Sequence, residues 1–237
     1  MESRHVVVGL VLAVTAMGAA ACARDRSIPS AQDLSESLMT ADDLDGSWNI
    51  NSGPQGGDAA IDPSGILTEE QRELVPSFDF CDRASDDSRK VAATLRPLVF
   101  RQLDLVVEDG IDPPFDRAGH MVFLQEFLYV DPPYLMASSF ASLREGMNQC
   151  LGEVPAGEEG PGYVETLPIP EVGEDRLGAL ITIEEAGGWA EWHVQEALVR
   201  EGAVLMRLVL VDIRAGAAPY FTAEDFGEIV RTAASTL

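Results

Sequence analysis

The most specific chemical signal in this sequence of 237 residues is the position of its first cysteine. Cys22 directly follows three alanines at 19–21, and an apolar stretch at 6–16 lies between them and Arg4. A signal peptide has this order, because its apolar stretch enters the translocon and small side chains fit the peptidase. A cysteine at the cleavage point forms a lipobox, whose thiol takes a thioether-linked diacylglycerol. We therefore expect residues 1–21 to be removed and Cys22 to carry the lipid.

An uncleaved membrane anchor is the alternative interpretation of the same stretch. Residues 6–23 are borderline in length for a spanning helix. They end in weakly apolar alanine and glycine, and no strong basic cluster follows to stop transfer. The sequence therefore favours the lipidated form, which acyl chains such as palmitate hold at the outer face of the cytoplasmic membrane.

The two remaining cysteines, Cys81 and Cys150, form an even pair once Cys22 is assigned to the lipid. In an oxidising compartment such a pair is expected to form a disulfide. Closing so long a loop would stabilise the fold by about 4 kcal/mol in the chain-entropy model. The absence of a CxxC motif argues against a thioredoxin-like redox site.

Only two histidines, His120 and His193, remain after residue 21. His193 is surrounded in sequence by four glutamates, which invites a metal interpretation: Glu184, Glu185, Glu191 and Glu196. Carboxylates are abundant throughout the chain, however, and only one histidine is near, so we favour a solvated strand face with no metal and no cofactor. His120 has no evident partner in the sequence. The chain also lacks a nucleophile elbow, a phosphate loop, a zinc-protease motif and an EF-hand loop, so we expect no enzyme.

The charge balance narrows the range of partners. Asp and Glu number 40 against 16 Lys and Arg, which gives a net charge of −24. Nucleic-acid binding needs basic patches against phosphate, so we expect no nucleic-acid partner, and docking on anionic lipid headgroups is disfavoured as well. Apolar residues make up 46% of the chain, which is typical of a globular domain. We predict a signal peptide at 1–21, a lipidated tether at 22–31 and one domain at 32–237.

Hydrophobic periodicity and turn residues predict the elements of that domain. The predicted helices cover 32–44, 68–75 (capped by Thr68 with Gln71), 86–95, a segment that Asp131 caps with Pro132 at its first position, and a last helix from Thr222. The predicted strands begin at Trp48 and cover 98–107, 121–130, 163–167, 177–185, 189–200 and 203–212, with loops at 51–65, 108–119 and 152–162. One buried helical stripe has steps of four and three: Met136, Phe140, Leu143, Met147 and Cys150.

These elements predict an α+β fold, with an antiparallel sheet of about five or six strands and flanking helices. Gly187-Gly188 and Glu201-Gly202 are predicted as two-residue hairpin turns. The second turn would place Glu196 opposite Arg207, as a cross-strand ion pair amid apolar neighbours.

Several short segments together resemble the extracytoplasmic sensor domain of actinobacterial receptor serine/threonine kinases of the PknH kind. They are Leu-Met-Thr-Ala-Asp-Asp-Leu at 38–44, the helix at 137–150 that ends in its cysteine, Gly-Glu-Asp at 173–175, Arg-Glu-Gly at 200–202, and an Ala-rich final helix. The wider group with this order of elements is that of the small Mog1/PsbP-like lipoproteins. The resemblance implies a binding or sensing module with a cleft and no catalytic activity.

We therefore expect a membrane-anchored, non-catalytic lipoprotein that binds an unidentified envelope ligand, a lipid or a glycan, or a protein partner. Two alternatives stay open: a cell-envelope hydrolase with an unrecognised site, and an assembly factor for a membrane protein. A cleft, if present, is expected between the sheet and the helix at 132–149. Its lining would be Phe123, Phe127, Tyr129, Met136 and Phe140, although such side chains more often form ordinary core.

Overall fold

Eight strands form one antiparallel sheet that carries helices on both faces. The computed structural model describes residues 28–51, 64–74, 81–105, 120–155, 161–184, 190–214 and 219–237. The helices are α1 (Ala31–Ser37), α2 (Glu69–Leu74), α3 (Asp86–Thr94), α4 (Pro133–Cys150) and α5 (Ala223–Ala234), with a 3-10 turn at Ala41–Asp43. The strands are β1 (Trp48–Asn51), β2 (Val99–Leu105), β3 (His120–Val130), β4 (Gly152–Pro155), β5 (Pro161–Thr166), β6 (Asp175–Glu184), β7 (Glu191–Glu201) and β8 (Val204–Arg214).

The last strand of the chain, β8, lies inside the sheet rather than at its edge. The strand order is β1-β2-β3-β8-β7-β6-β5-β4, so β8 pairs with β3 on one side and with β7 on the other. Its sequence, VLMRLVLVDIR, is almost continuously apolar, as expected for a strand covered on both faces. The predicted α+β class is therefore confirmed.

Alternating side chains divide the core into two faces. On the α5 face, strand residues pack against α5 and the N-terminal segment: Leu124, Leu128, Met206 and Leu208 with Phe226, Val230, Leu34, Leu38 and Met39. On the α4 face, the intervening residues pack against α3 and α4: Phe123, Phe127, Tyr129, Leu205 and Val209 with Ala92, Met136 and Phe140. Different elements therefore cover the two faces of the sheet.

The disulfide fastens the α4 face, as the sequence predicted. Cys81 and Cys150 are bonded, with Cα atoms 5.6 Å apart. Cys150 is buried at the last position of α4, on the predicted stripe. The bond therefore joins the end of α4 to the segment that leads into α3.

Local capping signals were predicted correctly at two helices. Thr222 and Asp225 form a capping box at the start of α5. The Gln71 side chain accepts from the Thr68 amide at 2.9 Å, and the Gln71 amide donates to the Thr68 hydroxyl. These contacts supply partners to amide groups that have none within the helix.

The predicted helix at 32–44 is wrong in length. Helix α1 ends at Ser37, because Leu38 takes an extended conformation with φ −64° and ψ 137°. Thr40 then caps the separate 3-10 turn with Asp43. The helix also begins at Ala31 with Ser30 as its cap, so the predicted tether ends before Ala31.

Three further predictions are corrected by the structure. The predicted loop at 152–162 contains β4 and the start of β5, which raises the strand count to eight. Asp131 does not cap α4; Pro132 occupies that position without a side-chain bond, and Pro133 is the first helical residue. The predicted β7–β8 turn is also displaced by one residue, from Glu201-Gly202 to Gly202-Ala203, because Glu201 still pairs with Val204. Gly202 has φ +58° while no described non-glycine residue has positive φ, as a type II′ turn with glycine first requires.

The displaced turn shifts the β7–β8 register by two residues but leaves each side chain on its predicted face. Glu196 lies opposite Val209, and Arg207 lies opposite Leu198. The predicted ion pair nevertheless forms diagonally, with Arg207 Nε 2.7 Å from Glu196 Oε1. Between β6 and β7, Glu184 pairs with Glu191, which is the register that a two-residue turn at 187–188 would produce.

Several predictions fall outside the described residues. They include the signal peptide, the lipobox, Cys22, the turn at 187–188 and the loop at 108–119. Among the helices that the structure does describe, none combines the length and apolar character that crossing a membrane requires.

Candidate functional site

A group of polar side chains lies on the α5 face, toward the end of the sheet where β7 begins and β8 ends. Alternation along β7 places Glu191, His193 and Gln195 on this face, and alternation along β8 places Asp212 and Arg214 there. The register pairs His193 with Asp212 and Glu191 with Arg214. These five residues are called the polar site below.

Glu191 connects the two basic side chains of the polar site. Its Oε1 lies 2.6 Å from His193 Nε2 and 3.1 Å from Arg214 Nη2. Arg214 is only 5% exposed, whereas the Glu191 side chain is 42% exposed. The carboxylate therefore gives the buried guanidinium an oppositely charged partner, which offsets part of the cost of burying that charge.

The surroundings of His193 favour the neutral form of its imidazole. Burial, and then the neighbouring Arg214, hold the pKa of His193 below its usual value, although Glu191 and Asp212 act in the opposite direction. A neutral imidazole has one donor and one acceptor nitrogen, so His193 can pair with Glu191 and still offer a second polar atom.

The segment before α5 covers the polar site through two hydrogen bonds. The Tyr220 amide donates to Asp212 Oδ2 at 2.7 Å, and Gln195 Nε2 donates to the Phe221 carbonyl at 3.1 Å. Gln195 Oε1 is buried without a hydrogen-bond partner among the described residues. A buried acceptor without a donor loses its bonds to water, so this oxygen is a position where a ligand donor or a water would be stabilising.

Aromatic rings border the polar site on the same side. The Tyr220 and Phe221 ring centroids are 5.1 Å apart, and Phe221 lies 5.9 Å from the buried Trp48. Tyr220 is half-exposed. The site thus combines polar groups with an accessible aromatic surface, which is a common composition for a small-ligand site.

No hydroxyl or thiol of the described residues hydrogen-bonds to His193 in the polar site. An enzyme with a serine, threonine or cysteine nucleophile needs that group within hydrogen-bond reach of its base. The partner of His193 is a carboxylate. Thr182, which lies opposite His193 on β6, makes no hydrogen bond to it. Within the described ranges, no three His, Cys, Asp or Glu side chains come together in a way that could hold a metal ion.

The sheet places His120 and His193 on the two strands that flank β8. The backbone of His120 on β3 pairs with Arg214 on β8, which in turn pairs with Glu191 on β7. Glu184 lies exposed opposite Glu191, Glu185 is outside the described residues, and Glu196 lies on the α4 face. The four glutamates that surround His193 in sequence therefore do not gather around it among the described residues.

A second polar group lies inside the α4 face and is structural. Arg207 pairs with the buried Glu196 and lies over the Phe127 ring, 5.4 Å from its centroid. Burial raises the pKa of the neighbouring Tyr129 to about 12. These charges are enclosed by core side chains, so they contact no solvent-facing surface where a ligand could bind.

The expected cleft between the sheet and α4 is not formed by the predicted residues. All five side chains belong to one packed cluster, and none is more than 8% exposed: Phe123, Phe127, Tyr129, Met136 and Phe140. Their size and spacing fill the space beneath α4, so the core interpretation is the correct one.

Comparison with known proteins gives a distant likeness of fold. No family model and no curated protein matches the sequence. Among solved structures, the extracellular domain of PknH from Mycobacterium tuberculosis is similar over 88% of this chain and 96% of that domain. The sequence identity is 12% and the TM-score is 0.45, so the likeness is one of overall fold at a distance.

Proposed function

We propose that this protein is a lipid-anchored, extracytoplasmic module that binds an envelope ligand without changing it chemically. The observation that carries the proposal is the polar site. It places a buried guanidinium, an imidazole with a lowered pKa and an unpartnered amide oxygen beside an exposed aromatic ring, and no hydroxyl or thiol of the described residues hydrogen-bonds to that imidazole.

The proposed location is supported from the sequence and from the fold. The apolar stretch at 6–16 and the alanines before Cys22 match a lipobox. The disulfide is of the kind that persists in an oxidising compartment outside the cytoplasm. The net charge of −24 suits a body that is held near the membrane by its lipid rather than by its surface.

The lipid anchor is tested by a variant in which oxygen replaces the sulfur of Cys22. Cys22→Ser removes the thiol that takes the lipid and leaves the small residues before it unchanged. In metabolic labelling with a palmitate analogue, the wild-type protein should be labelled and sediment with membranes, and C22S should be neither labelled nor processed. Labelling of the variant, or cytoplasmic wild-type protein with three free thiols, would reject the anchored form.

Ligand binding is tested by thermal melting of the purified protein with separate lipid and glycan fractions of envelope extract. Binding at a hundred times Kd should add about 2.7 kcal/mol to the unfolding free energy and raise the melting temperature by several degrees. His193→Gln should abolish the shift, whereas Glu184→Gln, a change of an exposed neighbour, should not.

The hydrolase alternative has one observation in its favour, the carboxylate-paired His193. It predicts turnover of an envelope ester or glycan at enzyme-like rates, lost in H193Q and retained in E184Q. Such turnover would overturn the binding proposal, while a melting shift without any product would support it.

A further inference from the structure

A third buried charge, Glu126, lies on the α5 face away from the polar site. It occupies the middle of β3, between Leu124 and Leu128, and is only 2% exposed. Its neighbour on β8 is Leu208, and its neighbour on β2 is Arg101. A carboxylate in these surroundings has lost nearly all of its contact with water.

The carboxylate contacts the backbone of the N-terminal segment. Met39 donates its amide hydrogen to Glu126 Oε2 at 2.8 Å, while Glu126 Oε1 is buried without a hydrogen-bond partner in the described part of the chain. The half-buried Arg101 donates to the carbonyls of Leu38 and Met39, at 3.1 and 2.7 Å. Both members of this cross-strand pair therefore bind Met39, and Arg101 also binds Leu38.

Residues 31–43, here called the N-terminal strap, are attached to the sheet mainly at this point. Leu34, Leu38 and Met39 are buried against the α5 face. Beyond the contacts of Glu126 and Arg101, the Thr236 hydroxyl donates to the Ser37 carbonyl and the Ser35 hydroxyl donates to the Ser64 carbonyl. The strap is thus a short cover, and a buried ionisable group lies beneath its centre.

We propose that Glu126 is a proton-controlled switch for the docking of the N-terminal strap, which binds the sheet more firmly when this carboxyl is protonated. The neutral form keeps Oε2 as the acceptor for the Met39 amide and removes negative charge from the buried, unpartnered Oε1. The ionised form is better solvated when the strap leaves and water reaches it.

Burial and the charged groups around Glu126 determine the pH range in which its carboxyl titrates. Burial raises the pKa of Glu126 to about 7, although the Met39 amide and Arg101 lower it and Asp43 from the 3-10 turn raises it further. The docked state therefore binds the proton more tightly than the released state. Docking strengthens by up to about tenfold for each unit that the pH falls below 7, until the released carboxyl is also protonated.

Release of the strap would change how far the domain reaches from the membrane, a consequence that rests on the proposed anchor. An extended chain spans ~3.3 Å per residue, so the freed strap would add roughly 40 Å to the tether. Alkaline conditions would then lengthen the tether and uncover part of the α5 face, and acidic conditions would close it.

Hydrogen exchange at the Met39 amide tests the switch directly in the full-length protein in detergent micelles. In the wild type, the protection of Met39 should lie well below that of Leu208 in β8, and should rise as the pH falls from 8 to 5. In Glu126→Gln, which keeps an oxygen acceptor but cannot ionise, Met39 should be protected at every pH. A flat wild-type profile, equal protection of Met39 and Leu208, or an unchanged slope in E126Q overturns the proposal.

A matched variant and a direct titration complete the test. Glu196→Gln alters another buried carboxylate, on the opposite face of the sheet, and should lower the protection of Leu208 while the pH dependence at Met39 remains. Loss of that dependence contradicts the proposal. If E126Q fails to fold, the carboxyl carbon of Glu126 is titrated by NMR in the wild type. An apparent pKa near 7 supports the switch, and a value below 5 overturns it.

Discussion

Glu196 and Glu126 are both buried carboxylates in the same sheet, on opposite faces, and they are satisfied in different ways. Glu196 is paired by the Arg207 side chain from the adjacent strand, and both belong to the centre of the sheet. Glu126 depends on the Met39 amide, which belongs to a short segment outside the sheet. The Glu196–Arg207 pair thus joins two central strands, whereas Glu126 depends on a segment that, in our proposal, can leave the α5 face.

The largest expected effect on stability comes from breaking the ion pair between Arg207 and Glu196. Arg207→Met removes the partner of Glu196 and leaves a buried carboxylate, which should cost about 3–5 kcal/mol of unfolding free energy. Denaturant unfolding measures this loss. Adding Glu196→Leu removes the unpaired charge and should recover most of it. If Arg207→Met alone is as stable as the wild type, the two faces of the sheet do not differ in the way proposed.

Removing the disulfide should have the next largest effect, because it also fastens the α4 face. Replacing Cys81 and Cys150 together by alanine frees the end of α4 from the segment before α3. We expect a loss of about 4 kcal/mol, measured by denaturant unfolding, with the strap still docked. Increased exchange at the Met39 amide beyond the change at Leu208 would show that the two faces are coupled.

Glu126→Gln should raise the unfolding free energy rather than lower it, and the gain should be found at neutral to alkaline pH. The folded-state pKa of Glu126, about 7, lies above the ordinary value of 4.5, so the folded protein binds the proton more tightly. This contribution is complete below pH 4.5 and is lost as the pH rises through 7. At pH 8 the variant should be more stable by up to roughly 3 kcal/mol, and at pH 4.5 by little. Equal gains at both pH values would contradict the assignment.

The smallest effects are expected from removing the caps of α5 and α1, the two helices that cover the α5 face. Thr222→Ala removes the cap of α5 and should lower global stability by about 1 kcal/mol. Ser30→Ala removes the corresponding cap of α1 and should mainly lower the exchange protection of the strap. Equal effects of both variants on global unfolding would make the strap an integral part of the core.

Elements defined by local signals could be predicted from the sequence. The stripe on α4, the cap at Thr222 and the alternation along β3 depend on residues a few positions apart, so periodicity and capping preferences reveal them. Strand β4 was missed because the glycine, proline and glutamate composition of 152–162 is typical of a loop. The residues of β4 form a strand because β5, which is itself paired with β6, supplies hydrogen bonds at the edge of the sheet.

The polar site depends on register, which the sequence leaves undetermined. His120 and His193 both approach Arg214 only because β8 lies between β3 and β7. The sequence did contain a signal for Glu126, since it is the one charged residue at the alternate positions 122–130 that otherwise form the buried face of β3. A charge at such a position predicts a specific partner, but it does not identify the Met39 amide.

Native mass spectrometry of the protein purified from its own host tests the proposed binding function most directly. The account predicts a wild-type species with one intact lipid or glycan bound, absent from H193Q and retained in E184Q. The same bound mass in all three proteins would place the ligand away from the polar site. A ligand-free wild type that releases cleaved envelope products would contradict the account.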